Sequence, residues 1–189
     1  TINYAGMDHQ DFVGGDNLNR VITGTIFNDT IIIEDDATPD DGMMQVRFVG
    51  RNFYDAATGT TSDAIHITVP ADSLKIQGDA GADTIEVKSL DNKFSGDLLL
   101  YGSVLDQYGL PVDDPFADNI IFSGNISTHD GLIDAWADHI TVNDGVQIDT
   151  GDEDVVLRAR NMGLSDVENL SPVLGISRSV SIDIGAGAG

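Results

Sequence analysis

Short runs of apolar, mostly β-branched residues separated by Gly, Asp and Asn dominate the hydrophobic pattern of the chain. Typical runs lie at residues 30–33, 64–69 and 84–87, and turn-forming residues bound each of them. Runs of this length and composition predict short β-strands, and helical periodicity is almost absent. The pattern therefore predicts an all-β protein.

A recurring motif precedes these strands, in which an aspartate stands two positions before an Ile or Val. It occurs at Asp29, Asp63, Asp83, Asp118, Asp138 and Asp154. The motif repeats about every 20 residues, with longer intervals where residues 34–53 and 101–115 are inserted, and such a period is typical of a solenoid. We therefore predict a right-handed parallel β-helix (β-solenoid) with coils of about 20 residues, which would align the aspartates in a column. A β-sandwich is the alternative, but it gives no reason for the motif to repeat.

The repeat also predicts how the chain is divided. Residues 1–28 fit the motif poorly and are expected to form an N-terminal cap or a partial coil. Residues 29–184 are expected to form the β-solenoid, and residues 185–189 a Gly/Ala tail.

Negative charge dominates the composition and limits the partners of the chain. Nine Lys and Arg residues stand against 32 Asp and Glu residues, which gives a formal net charge of -23. Such a chain repels phosphate backbones and anionic membrane surfaces, so we expect no nucleic-acid partner. No apolar run approaches the ~20 residues of a membrane-spanning helix, so we expect no direct membrane insertion. The chain has no cysteine, which excludes disulfides and thiolate metal sites.

Calcium (Ca²⁺) is the cofactor that the aspartates favour. Residues 78–86 match the calcium-binding nonapeptide pattern of β-rolls, with Asp79 and Asp83 as ligands. One such turn supplies only part of the oxygen cage that calcium needs, so neighbouring turns must supply the rest. The remaining predicted metal ligands are Asp63, Asp118, Asp29, Asp138, Asp152 and Asp154. The competing interpretation is that these aspartates bind backbone groups of their own turns without a metal.

Residues 28–161 resemble the repeats of giant bacterial extracellular adhesin-like proteins and of calcium-binding, RTX-like β-helix surface proteins. The resemblance is carried by the segment 73–79 and by the segment 82–98, where Asp-Thr-Ile is followed by Ser-Leu and Phe. It implies a location outside the cell, at the bacterial cell surface. It also implies a structural or adhesive segment, stabilised by calcium, that acts as a stalk, a sheath or a self-assembling filament unit. The partners would be further copies, neighbouring repeats of a longer chain, or a cell-surface glycan.

A carbohydrate-active β-helix enzyme, such as a polysaccharide lyase or hydrolase, and a glycan-binding module are the alternatives. An enzyme needs a basic group beside paired carboxylates, and Lys88 and Lys93 with Asp118 are the candidates. The aromatic residues suited to stacking on a sugar are Tyr101, Tyr108 and Trp136, and we expect Trp136 to pack in the core or a cap. Because no established catalytic motif occurs, we predict that the chain is not an enzyme.

Overall fold

The computed structural model describes residues 12–15, 18–55, 60–107, 116–162 and 180–184, and these residues form strands, turns and bends. The strands are β1 (Phe12–Gly15), β2 (Asn19–Thr23), β3 (Thr30–Asp35), β4 (Met43–Phe48), β5 (Phe53–Asp55), β6 (Thr60–Ser62), β7 (Ala64–Thr68), β8 (Ser73–Gln77), β9 (Thr84–Val87), β10 (Asp97–Tyr101), β11 (Asn119–Phe122), β12 (Ile126–Ser127), β13 (Ile133–Val142), β14 (Ile148–Asp149), β15 (Val155–Met162) and β16 (Val180–Ile184). The prediction of an all-β protein is confirmed. No helix within these ranges is long and apolar enough to cross a membrane.

Alternating burial along the strands builds the core. In β8 and β10, Leu74, Ile76, Leu98 and Leu100 are fully buried, while the residues between them are partly exposed. This alternation follows from the two-residue period of a strand, which turns successive side chains to opposite faces. The inward side chains pack into one hydrophobic cluster that extends from β2 to β15.

Twelve of the strands join in a single mixed sheet that curls into a half-barrel. One parallel series contains β2, β8, β10, the first half of β13, and β15. A second parallel series contains β3, β9, β11 and the second half of β13. The ten-residue strand β13 belongs to both series, because Ile133 pairs with Leu98 of β10 and His139 pairs with Asn119 of β11.

The prediction of a right-handed parallel β-helix with coils of about 20 residues is wrong, and the alternative β-sandwich is not supported either. Residues 34–53, which the repeat assigned to an insertion, contain β4, and β4 pairs antiparallel with both β3 and β7. Strand β1 is also antiparallel to its partner β2. The apolar pattern of a strand specifies which face is buried but not the direction of its partner, so parallel and antiparallel pairs share one sheet.

The predicted division of the chain stays a prediction. Within residues 1–28, β1 and β2 are part of the main sheet, where β2 pairs in parallel with β8. The predicted tail, residues 185–189, lies outside the described residues.

Candidate functional site

Four of the predicted metal ligands, Asp29, Asp83, Asp118 and Asp138, form a continuous series that we call the aspartate column. Each of the first three donates its backbone N–H to the carboxylate of the next: Asp29 to Asp83 Oδ1 at 2.7 Å, Asp83 to Asp118 Oδ1 at 2.9 Å and Asp118 to Asp138 Oδ2 at 3.1 Å. Asp29 is 4% exposed, and Asp83 and Asp118 are fully buried. The column therefore links β3, β9, β11 and β13 by hydrogen bonds from backbone N–H groups to carboxylates. These bonds lie where the paired segments of the second parallel series begin.

The local sequence explains why the aspartates lie in line. Each is followed two positions later by a buried isoleucine, namely Ile31, Ile85, Ile120 and Ile140. Those isoleucines stand in parallel register with one another, so the aspartate that precedes each of them takes the same place on its strand. A carboxylate at this place accepts the backbone N–H of the neighbouring strand, which would otherwise be buried without a partner.

Glycine residues lie against the column, and the sequence interpretation missed their close packing against the aspartates. Gly24, Gly78 and Gly102 donate N–H bonds to Gln77, Tyr101 and Trp136 of the neighbouring strands at 2.7, 2.8 and 2.9 Å. A Cβ atom built on Gly78 would lie 2.6 Å from Asp83 Oδ2, and one built on Gly102 would lie 2.4 Å from Asp118 Cβ. The carboxylates thus occupy the space that a side chain at these positions would need. The available signal was a glycine five positions before Asp29 and before Asp83.

Arg51 pairs with the aspartate at the first end of the column. Its Nη2 lies 2.5 Å from Asp29 Oδ1, and the backbone N–H and hydroxyl of Thr25 donate to Asp29 Oδ2 at 2.6 and 2.8 Å. No further aspartate N–H reaches Asp29 in the described structure, so the guanidinium takes the place that a backbone N–H takes at Asp83 and Asp118. This arrangement compensates the buried charge, which would otherwise carry a large desolvation cost.

Asp79 lies beside the column rather than in it. Its backbone has a φ of 76°, in the left-handed region that Asp tolerates better than most residues. Burial raises the pKa of its carboxyl group, and the negative charge of Asp29 raises that pKa further. Bringing these two carboxylates together therefore carries an electrostatic cost.

The remaining three predicted ligands lie away from the column. The side chain of Asp63 is exposed, and its Oδ2 lies 3.7 Å from Nη1 of Arg47. Asp63 directly precedes β7, which is antiparallel to β4. Asp152 is exposed in a turn. Asp154 precedes β15, and its carbonyl accepts the N–H of Ile133 at 3.1 Å in the first parallel series. The structure therefore brings together five of the eight predicted ligands and not these three.

The carboxylates of Asp29 and Asp118, as they are arranged, do not fit a calcium ion. Both carboxylate oxygens of Asp29 accept hydrogen bonds, and Asp118 Oδ2 accepts the Ser103 hydroxyl at 2.8 Å while its Oδ1 accepts the N–H of Asp83. Calcium needs six to eight oxygens directed at it, whereas these oxygens face N–H and O–H donors. Among the described residues, no group of three or more His, Cys, Asp or Glu is placed to hold a metal ion. The binding of calcium stays a prediction.

A second feature lies on the outer face of the first parallel series, and we call its residues Lys75, Tyr101, Trp136 and Arg158 the outer row. They come from the consecutive strands β8, β10, β13 and β15, and Tyr101, Trp136 and Arg158 stand directly in register. In β13 the inward positions belong to Ile133, Ala135 and Ala137, so Trp136 points outward and is partly exposed. Of the two places expected for Trp136, the core and a cap, the core is therefore wrong.

A cationic group lies over one face of each ring of the outer row. Lys75 Nζ lies 5.6 Å from the centroid of the Tyr101 ring, and Arg158 Cζ lies 5.6 Å from that of Trp136. Asp134 forms an ion pair with Arg158 and lies 3.3 Å from the hydroxyl of Tyr101. Burial, followed by the charge of Asp134, raises the pKa of Tyr101 to about 12, and the Tyr101 hydroxyl donates to Asp134. The outer row thus presents two aromatic rings together with hydrogen-bonding groups of both charges.

Comparison with known proteins identifies no relative. No protein family, no curated protein and no solved structure matches the chain. The two features described above are therefore the basis for any functional assignment.

Proposed function

We propose that this chain is a non-enzymatic structural or adhesive segment of an extracellular protein at the bacterial cell surface. The observation that carries the proposal is the aspartate column, in which Asp29, Asp83 and Asp118 each bond to the neighbouring strand. Buried carboxylates that join successive strands stabilise a rigid array, which suits a load-carrying or surface-presenting segment.

The chemistry of Asp118 favours this proposal over the enzyme alternative. Lys88 and Lys93 with Asp118 were the candidates for acid and base catalysis. Asp118 is fully buried, and its two carboxylate oxygens accept hydrogen bonds from Asp83 and Ser103. A general acid or base must reach the proton that it transfers, so Asp118 in this arrangement is a structural group.

Self-association belongs to the same proposal. Strand β7 ends the described strand order of the main sheet, with β4 as its only neighbour there. Edge strands present backbone N–H and C=O groups that pair with another chain. We therefore propose that further copies, or neighbouring segments of a longer chain, add at this edge.

Labelling of cells tests the proposed location. An antibody raised against the purified chain should label intact cells of the organism that produces it as strongly as permeabilised cells. An antibody against a cytoplasmic protein, used as the control, should label only permeabilised cells. Labelling by the first antibody that also requires permeabilisation would overturn the proposed location.

A further inference from the structure

We infer that the outer row is a binding site for a neutral polysaccharide chain. The inference rests on the adhesive part of the proposed function and names the class of ligand. Tyr and Trp provide large apolar faces together with a polar group, and Trp, Tyr and Arg are the residues that most often dominate binding energy at protein surfaces. Here Tyr101, Trp136 and Arg158 occupy adjacent positions on three neighbouring strands.

The shape of the site favours an extended ligand. Small molecules bind in concave pockets that surround them. The outer row lies on the outer face of a curled sheet, opposite the buried Leu100 and Ala135, and therefore on its convex side. A convex face contacts only one side of a ligand, so affinity must come from contacts repeated along a polymer.

The chemistry of the row fits a chain of sugars. The apolar C–H face of a sugar ring packs on aromatic side chains, while its hydroxyl groups both donate and accept hydrogen bonds. Asp134 is an acceptor for those hydroxyls, and Lys75 and Arg158 are donors. Donors and acceptors lie next to the rings, because Asp134 contacts both Tyr101 and Arg158.

The net charge of the chain selects a neutral polymer over an acidic one. At a net charge of -23, the protein repels polyanions that approach within about a Debye length of its surface. The positive charge of Arg158 is also paired with Asp134, which leaves the row without a strong local excess of positive charge. A polymer of uncharged sugars is not repelled by the net charge, and its binding does not need an excess of positive charge in the row.

The single tryptophan of the chain makes the test specific, because its fluorescence reports on Trp136 alone. The purified chain should sediment with at least one of cellulose, chitin and an insoluble β-glucan. Soluble oligosaccharides of the bound polymer should then shift the Trp136 emission. Tyr101→Ala and Trp136→Ala should each weaken binding at least tenfold, and Trp136→Phe, which keeps a ring, should weaken it less. Phe27→Ala removes an exposed ring from another part of the surface and should bind like the wild type.

Several outcomes would overturn the inference. These are the failure of the wild type to bind any of the three neutral polymers, binding to alginate or to protein in their place, and binding that survives Tyr101→Ala in a folded variant. Circular dichroism establishes that each variant is folded, and Tyr101→Ala decides the matter if Trp136→Ala does not fold. The proposed function is tested separately: surface labelling without polysaccharide binding would overturn only this inference, and binding without surface labelling would overturn only the proposed location.

Discussion

Replacement of Asp118 by alanine should lower the free energy of unfolding by about 2–4 kcal/mol. The Asp118 carboxylate accepts the N–H of Asp83 and the hydroxyl of Ser103, and all three residues are buried. Alanine removes both acceptors and leaves two donors without partners in a site that excludes water. The loss of buried hydrogen bonds to a charged group is among the few mechanisms that give effects of this size. Urea unfolding followed by circular dichroism measures the change.

Two further variants separate the hydrogen bonds from the charge. Asp118→Asn keeps an oxygen for the Asp83 N–H, and its amide group donates to the Ser103 hydroxyl, so it should cost less than half as much as alanine. Asp152→Ala removes an exposed aspartate outside the column and should change stability by less than about 0.5 kcal/mol. An Asp118→Ala variant as stable as Asp152→Ala would show that the column does not hold the strands together.

Gly78→Ala should lower the free energy of unfolding by about 3 kcal/mol, because the added methyl group has no room. A Cβ atom at this position would lie 2.2 Å from the carbonyl oxygen of Gly102 and 2.8 Å from Asp83 Cβ. Gly102 directly follows β10, which pairs with β8, and Asp83 directly precedes β9. Relief therefore requires the backbones at the ends of β8 and β10 to separate beside the column. The same urea titration measures the effect, and the far-ultraviolet spectrum shows whether the sheet persists.

Gly145→Ala is the matched control for the loss of a glycine. A Cβ atom there would meet nothing within 4 Å, and the cost comes only from its φ of 78°. The left-handed region costs an alanine about 1–2 kcal/mol, so this variant should be clearly more stable than Gly78→Ala. Equal losses in the two variants would contradict close packing of Gly78 against the column.

The repeated motif predicted the column but not the sheet that contains it. At Asp29, Asp83, Asp118 and Asp138, a buried isoleucine two positions later fixes the face of the strand, and parallel pairing brings the aspartates into line. Asp63 has the same local sequence, with Ile65 buried two positions later, but it precedes a strand that runs antiparallel to β4. A motif that consists of an aspartate and an Ile or Val two positions later contains no information about the direction of the neighbouring strand, so the same pattern occurs in both settings.

The alternation of buried and exposed positions in β13 predicts that Trp136 faces outward, provided that Ala135 and Ala137 are counted as core residues. Ala135 and Ala137 are buried on either side of it, and their size makes the inward face of this strand look weakly apolar. The sequence alone does not predict which residues lie beside Trp136. Tyr101 and Arg158 are distant in sequence, and only the register of three strands brings them beside it.

Hydrogen exchange at the backbone amides of Asp29, Asp83 and Asp118, measured by nuclear magnetic resonance in the presence of a calcium chelator, tests directly whether the aspartate column forms without a metal. Each of these amide protons is bonded to a carboxylate in the column. We expect these protons to exchange as slowly as amides inside the core strands, because they are released only when the sheet opens. Exchange as fast as that of the exposed turn at Asp152, with protection appearing only after calcium is added, would contradict this expectation and favour a metal-dependent column.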